Sequence, residues 1–256
     1  MMTFAPQDAS SQPHRRGIDS SGPGGVPEGV GRGEEMRFLS RHLLPTGVRS
    51  GLEVQIRWPR PWRGAGEGGA GGRVVSFGGR VLRAACREAE RWSLPWRISV
   101  GVAACQITQG RLLAQVAEAL DDSGLDPERL ELELSEATLL EADGDMLLML
   151  SALRDLGTGV GLDDFGAGLA SLSLLRHLPL SSLKLDATLV RNLPADPEDC
   201  ALVDALVVAA HGAGLEVVAA GIDSEPQRGF LVESGCDAGQ GRLFGGAAPA
   251  GAFRPD

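Results

Sequence analysis

The chain has no surplus of positive charge: 24 Lys plus Arg stand against 34 Asp plus Glu, a formal net charge of -10. Nucleic acids and anionic membranes are held by a basic face, so general electrostatic binding to DNA, RNA or membrane is not expected, and any nucleotide ligand must be held locally. No apolar run approaches the roughly 20 residues of a membrane helix. The longest leucine-rich stretch, Met146 to Leu156, is interrupted by Ser151, Arg154 and Asp155. The start has no apolar core of the signal-peptide kind, since Pro6, Gln7, Asp8 and Ser10 follow directly on Met-Met-Thr-Phe, and secretion is not expected. The cysteines Cys86, Cys105, Cys200 and Cys236 form no CxxC pair; reduced thiols in a cytoplasmic setting are the expectation. Lysine is nearly missing too. Lys184 is the sole lysine, every other basic residue being arginine.

With 256 residues and 43% hydrophobic composition, the chain can bury one sizeable core, at a length common for single α/β barrels. Residues 1–35 are Gly, Pro, Ser, Arg and Gln with few large apolar side chains, the composition of a disordered leader. The barrel domain is expected over 36–256, with a flexible glycine-rich loop at 59–72. Beyond it, helix-period segments alternate with short β-like runs, the signature of βα units around a parallel sheet. Leu112, Leu113, Val116, Ala117 and Leu120 share one helical face, as do Leu202, Val203, Leu206, Val207 and Ala210. The second of these helices opens on Asp196 as cap and Pro197, and Gly212 or Gly214 can close it; Ser224 with Gln227 reads as a capping box. Strands are expected at 98–103, 130–134, 159–162, 182–185 and 216–219.

Polar residues fall at or just past the C-terminal ends of those strands: Glu133, then Asp163 and Asp164, then Lys184 with Asp186. In an α/β barrel such ends meet at one mouth, where sites are built. Carboxylates gathered there would repel one another unless divalent cations such as Mg²⁺ sat among them, and two ions could flank a phosphate and activate water. Taken singly, Glu133 or Asp186 reads more simply as a solvated strand end or a helix cap; the set is what informs. A buried lysine can lose its proton or orient water, which arginine cannot do.

The runs LELELSEATLLE, LGTGVGLDDFGAGLASLSLLRHLPLSSLKLD, AHGAGLEVVAAGID and CDAGQGRLFG, with LEVQIRW near the start, resemble the EAL domain of cyclic di-GMP phosphodiesterases in order and spacing. The resemblance implies a modified TIM-like (β/α)8 barrel, here with a truncated early βα segment. It implies hydrolysis of cyclic di-GMP to linear pGpG with two Mg²⁺ or Mn²⁺ ions. By motif position Glu53, Glu133, Asp163 and Asp164 match metal ligands, and Lys184 matches the lysine associated with the attacking water. Glu136 matches the glutamate that steadies a metal-site loop, Arg57 an arginine contacting ligand phosphate, and Gln240 a glutamine near the site.

The departures fall at the same place. Gly101 in ISVGV stands where the family has a ligand asparagine, and Ala220 in VVAAG where it has a ligand glutamate. Asp223 shortens a further glutamate, SRHL around Arg41 and His42 replaces YYQP, and the SPAEF helix that usually follows RW is missing. The expectation is a degenerate EAL domain, a weak or inactive phosphodiesterase serving as a cyclic di-GMP receptor or a protein-interaction module. An active metal-dependent phosphodiesterase and a nucleotide-free scaffold are the alternatives. Cyclic di-GMP, a protein partner and a second copy of the chain are the partners left open, and the cofactors are Mg²⁺ or Mn²⁺, or none.

Overall fold

A computed structural model describes residues 35–57, 70–108, 111–140, 144–166, 175 and 177–253. Eight strands close into a barrel in sequence order: β1 (Glu35–Leu43), β2 (Arg49–Arg57), β3 (Arg97–Val102), β4 (Leu130–Ser135), β5 (Gly159–Phe165), β6 (Ser182–Leu185), β7 (Glu216–Ala219) and β8 (Ala238–Gly239). From β2 to β8 each strand pairs parallel with the next. The first strand runs against both its neighbours, β2 and β8. The five strands expected from β3 to β7 are present, while the opening antiparallel hairpin and the two-residue β8 are not visible in the apolar pattern.

The helices are α1 (Ala70–Glu90), α2 (Ala104–Thr108), α3 (Leu112–Ser123), α4 (Glu136–Leu140), α5 (Gly144–Asp155), α6 (Ala187–Val190), α7 (Pro197–Gly212) and α8 (Glu225–Glu233). Residues 1–34 of the expected 1–35 leader and 59–69 of the glycine-rich segment lie outside the described residues, while Glu35, the last residue of that leader, begins β1. The far end of that segment differs from expectation, because 70–72 belong to α1 rather than to a loop. Buried Val75, Leu82, Ala85, Cys86 and Ala89 give this helix its apolar face, and packing there overrides the low helix propensity of glycine.

The cap signals act as read. Asp196 accepts from the backbone N–H of Glu198 at 2.9 Å and of Asp199 at 3.4 Å, with Pro197 in the first turn of α7. Ser224 and Gln227 form the reciprocal capping box of α8. Replacing Asp196 with alanine frees two N–H groups at the head of a 16-residue helix, so urea unfolding is expected to show a loss of about 1 kcal/mol. An unchanged midpoint would mean that α7 does not depend on its cap.

Alternation decides what faces the barrel axis. Arg41 on β1 reaches Glu131 on β4, and Lys184 on β6 reaches Glu53 on β2; contacts between strands so far apart in the ring cross the interior. With a two-residue period, Leu130, Leu132 and Leu134 of β4 then point outward to the helices while Glu131 and Glu133 point in. All five are buried. Gly161 makes room for this polar interior, since a Cβ there would lie 2.6 Å from Ser182 Oγ and 3.2 Å from Glu131 Oε1.

Candidate active site

Lys184 is the hub of the barrel mouth. Its ammonium lies 2.7 Å from Glu133 Oε2, 2.9 Å from Glu53 Oε2 and 3.2 Å from Asp163 Oδ1, so residues from β2, β4 and β5 meet on a cation from β6. Gln240, just past β8, donates to Glu53 Oε2 at 2.5 Å. Beside these groups a cavity of about 340 Å³ opens, with Asp163, Asp164, Lys184, Ala220, Asp223 and Gln240 in its lining.

The paired aspartates are aimed by an irregular strand end. Pairing of β5 with β6 breaks between Leu162 and Phe165, a disturbance of the kind that redirects side chains at barrel rims. Asp164 has φ of 56°, the one described non-glycine residue with positive φ, and its N–H donates to Asp163 Oδ1 at 2.9 Å. A left-handed aspartate at a functional mouth is local strain that the surroundings must hold in place. Glu136 contributes to that hold: it opens α4, and its Oε2 accepts from the N–H of Gly166, just after β5, at 3.1 Å.

Burial would lower the pKa of Lys184, but Glu133, Glu53 and Asp163 outweigh it and hold the amine above its ordinary value. In this arrangement the ammonium form of the lysine is favoured. Burial pushes Glu133 up to about 7, with Glu53 and Asp163 adding to the rise against the pull of Lys184. Burial would raise Glu53 too, yet Lys184 and the Gln240 hydrogen bond bring it below its usual value. Asp164 is raised by burial and then by Asp163 and Asp186. For Glu133 and Asp164 burial is the larger cause of the rise, and neighbouring carboxylates add to it.

The EAL domain model matches residues 36–247. The chain belongs to the EAL domain family. It is 34% identical over 226 residues to the bifunctional diguanylate cyclase/cyclic di-GMP phosphodiesterase MucR of Pseudomonas aeruginosa, covering 84% of this chain and 33% of MucR. It is 35% identical over 230 residues to the cyclic di-GMP phosphodiesterase NbdA of the same organism, covering 86% of this chain and 29% of NbdA. The chain thus spans about a third of the length of these relatives. A solved PaMucR phosphodiesterase in complex with c-di-GMP superposes with a TM-score of 0.78 at 33% identity, over 86% of this chain and 94% of that one. The closed α/β barrel is accordingly the TIM-like fold of EAL domains.

Of the residues matched to EAL positions, the fold brings Glu53, Glu133, Asp163, Asp164, Lys184 and Gln240 to one mouth, with Glu136 supporting its edge. Arg57 is not brought there: its side chain is 67% exposed and lies 3.7 Å from Glu35 Oε2. Asp186 caps α6, accepting from the N–H of Thr188 at 2.8 Å. Gly101 sits beside Glu133 in the β3–β4 register, and a Cβ built on it would meet nothing within 4 Å. Ala220 lines the cavity.

The donor set is of the right kind for a hard divalent cation, all oxygen, and buried Glu133 Oε1 accepts no hydrogen bond. Three of these carboxylates, Glu53, Glu133 and Asp163, are paired with Lys184 in this structure.

Two features of the site escaped the sequence reading. Arg41, noted there only as part of the SRHL segment that replaces YYQP, is buried and pairs with Glu131 at 2.7 Å. Asp223 is held by Arg242, whose Nη2 lies 2.5 Å from its Oδ2. The alternation LELEL, which puts a second glutamate on the inner face two residues before Glu133, was the signal for the first; the second has none in the local pattern. No helix among the described residues is long and apolar enough to cross a membrane.

Proposed function

We propose that this chain is a degenerate EAL domain, which binds cyclic di-GMP at the barrel mouth, hydrolyses it slowly or not at all, and acts as a receptor or protein-interaction module in cyclic di-GMP signalling. One observation carries the reading: at the mouth where Glu53, Glu133, Asp163 and Asp164 gather, Gly101 and Ala220 present no side-chain oxygen, and the remaining carboxylates turn to Lys184. In this account Glu53, Glu133, Asp163 and Asp164 would hold whatever Mg²⁺ or Mn²⁺ binds, supplying Lewis-acid charge to a phosphate. Lys184 fixes three of these carboxylates and offers positive charge, Glu136 steadies the loop after β5, and Gln240 orients Glu53. Asp223 is poorly placed to replace a lost ligand, because its carboxylate is already engaged by the side chain and N–H of Arg242. That weighs against an active phosphodiesterase.

The test is a titration of the purified protein with cyclic di-GMP, with and without Mg²⁺ or Mn²⁺, followed for pGpG over hours. Saturable binding with turnover far below about 1 per second, the low end of ordinary enzyme rates, is the expected result. Turnover at or above that rate would establish an active enzyme instead. Absence of binding would leave a nucleotide-free scaffold.

A further inference from the structure

Residues facing the interior of an α/β barrel are ordinarily apolar and branched, yet Arg41 is only 3% exposed there. Its Nη2 donates to Glu131 Oε1 at 2.7 Å and to Ser99 Oγ, and it stands 3.7 Å from Glu133 Oε1. Glu133 is consequently flanked by two cations. Lys184 takes Oε2 at 2.7 Å, while the guanidinium faces Oε1, the oxygen that accepts no hydrogen bond. Those are the lone pairs a divalent ion would need.

We infer that Arg41 is a positioning residue that acts against metal binding: a fixed positive charge behind Glu133 that lowers the affinity of the mouth for divalent cations, separately from the oxygens missing at 101 and 220. The inference rests on the reading of this mouth as the family's metal site. Glu131 balances Arg41 overall, but the guanidinium is the end of that ion pair nearer Glu133. A doubly charged ion held through Glu133 would be repelled by the near end more than it is drawn by the far one. At an effective dielectric of about 20 such a difference amounts to about tenfold in affinity.

Removing one partner of a buried ion pair strands the other, whereas replacing both with neutral side chains is often nearly neutral for stability. The test therefore uses Arg41→Ile with Glu131→Leu. Arg41→Gln with Glu131→Gln serves as a second neutral pair in case the apolar one does not fold, and Arg41→Lys keeps the charge. Each is titrated with Mn²⁺ alone, following the free Mn²⁺ signal by electron paramagnetic resonance, beside urea unfolding of the same samples. A folded neutral pair is expected to bind Mn²⁺ about tenfold tighter than the parent, with Arg41→Lys within about twofold of it. A merely structural role would shift the unfolding midpoint and leave Mn²⁺ affinity where it was. Folded neutral pairs with parental or weaker affinity overturn the inference. Gly101→Asn with Ala220→Glu, measured in parallel, keeps the two readings apart. Tightening there but not in the neutral pairs defeats the role of Arg41 alone; the reverse defeats the account of positions 101 and 220 and leaves Arg41 standing.

Discussion

Replacing Lys184 with methionine is expected to destabilise the protein by about 3–5 kcal/mol, the range seen when one partner of a buried ion pair is removed. The side chain that leaves is nearly inaccessible and neutralises Glu53, Glu133 and Asp163 at 2.9, 2.7 and 3.2 Å. Methionine fills the volume but returns no charge, so three acid groups face one another across the barrel. For a domain of this size the loss corresponds to a fall in Tm on the order of 10 °C. The deficit should depend on pH in a definite sense. Glu133 has a folded-state pKa of about 7, above the ordinary carboxylate value of 4.5. Its protonation favours the folded state, and that contribution is lost as pH rises through about 7. Without the ammonium the group is held higher still, so the variant should lie closest to the parent near pH 5 and furthest from it at pH 8. Thermal unfolding with a chelator present, to keep stray cations out, makes the comparison. Equal losses at both pH values would mean that the carboxylates are not ionised around Lys184 in the way described.

How much of this was legible beforehand follows from which forces write themselves into local sequence. Strands β3 to β7 are short apolar runs separated by helix-period segments, and burial on both faces leaves that mark whatever the rest of the chain does. The first strand is different. Its sequence EMRFLSRHL carries two arginines, which read as surface until partners far along the chain are known; Arg41 is inside because Glu131 and Ser99 are there to receive it. Local composition also misjudged the start of α1. The glycines Gly78 and Gly79 of that helix are where α2 and α3 come close, since a Cβ on either would lie 2.2 Å from Gln106 Nε2 or 2.7 Å from Gln115 Nε2. A residue that looks like a helix breaker there sits at a close approach between helices. Among the candidate site residues, Glu53, Glu133, Asp163 and Lys184 are held by strand register and lie together at the mouth. Arg57, at the end of β2 with an exposed side chain, lies toward Glu35, and spacing along a strand says nothing about which neighbour a long side chain takes.

The second large effect concerns the two positions where the mouth lacks oxygen. Gly101→Asn with Ala220→Glu is expected to tighten Mn²⁺ binding by about 10- to 100-fold, on the argument that even groups outside the coordination sphere change metal affinity by that much. The structure gives each substitution room to act. Gly101 lies beside Glu133 in register, with open space where its Cβ would be, and Ala220 borders the cavity with Asp163, Asp164 and Lys184. Asparagine and glutamate are also the side chains whose oxygens suit a hard cation, so the gain should be larger for Mn²⁺ or Mg²⁺ than for a soft ion. Hydrolysis of cyclic di-GMP need not return in proportion. Arg57 is turned to Glu35, and misplacement of a substrate by about 1 Å can cost about 100-fold in rate. Metal affinity is therefore the measurement that decides, with unfolding midpoints to establish that the double variant is folded. A folded double variant that binds Mn²⁺ no better than the parent would show that these two side chains do not reach the ion, and the correspondence of 101 and 220 to EAL ligand positions would have to be abandoned.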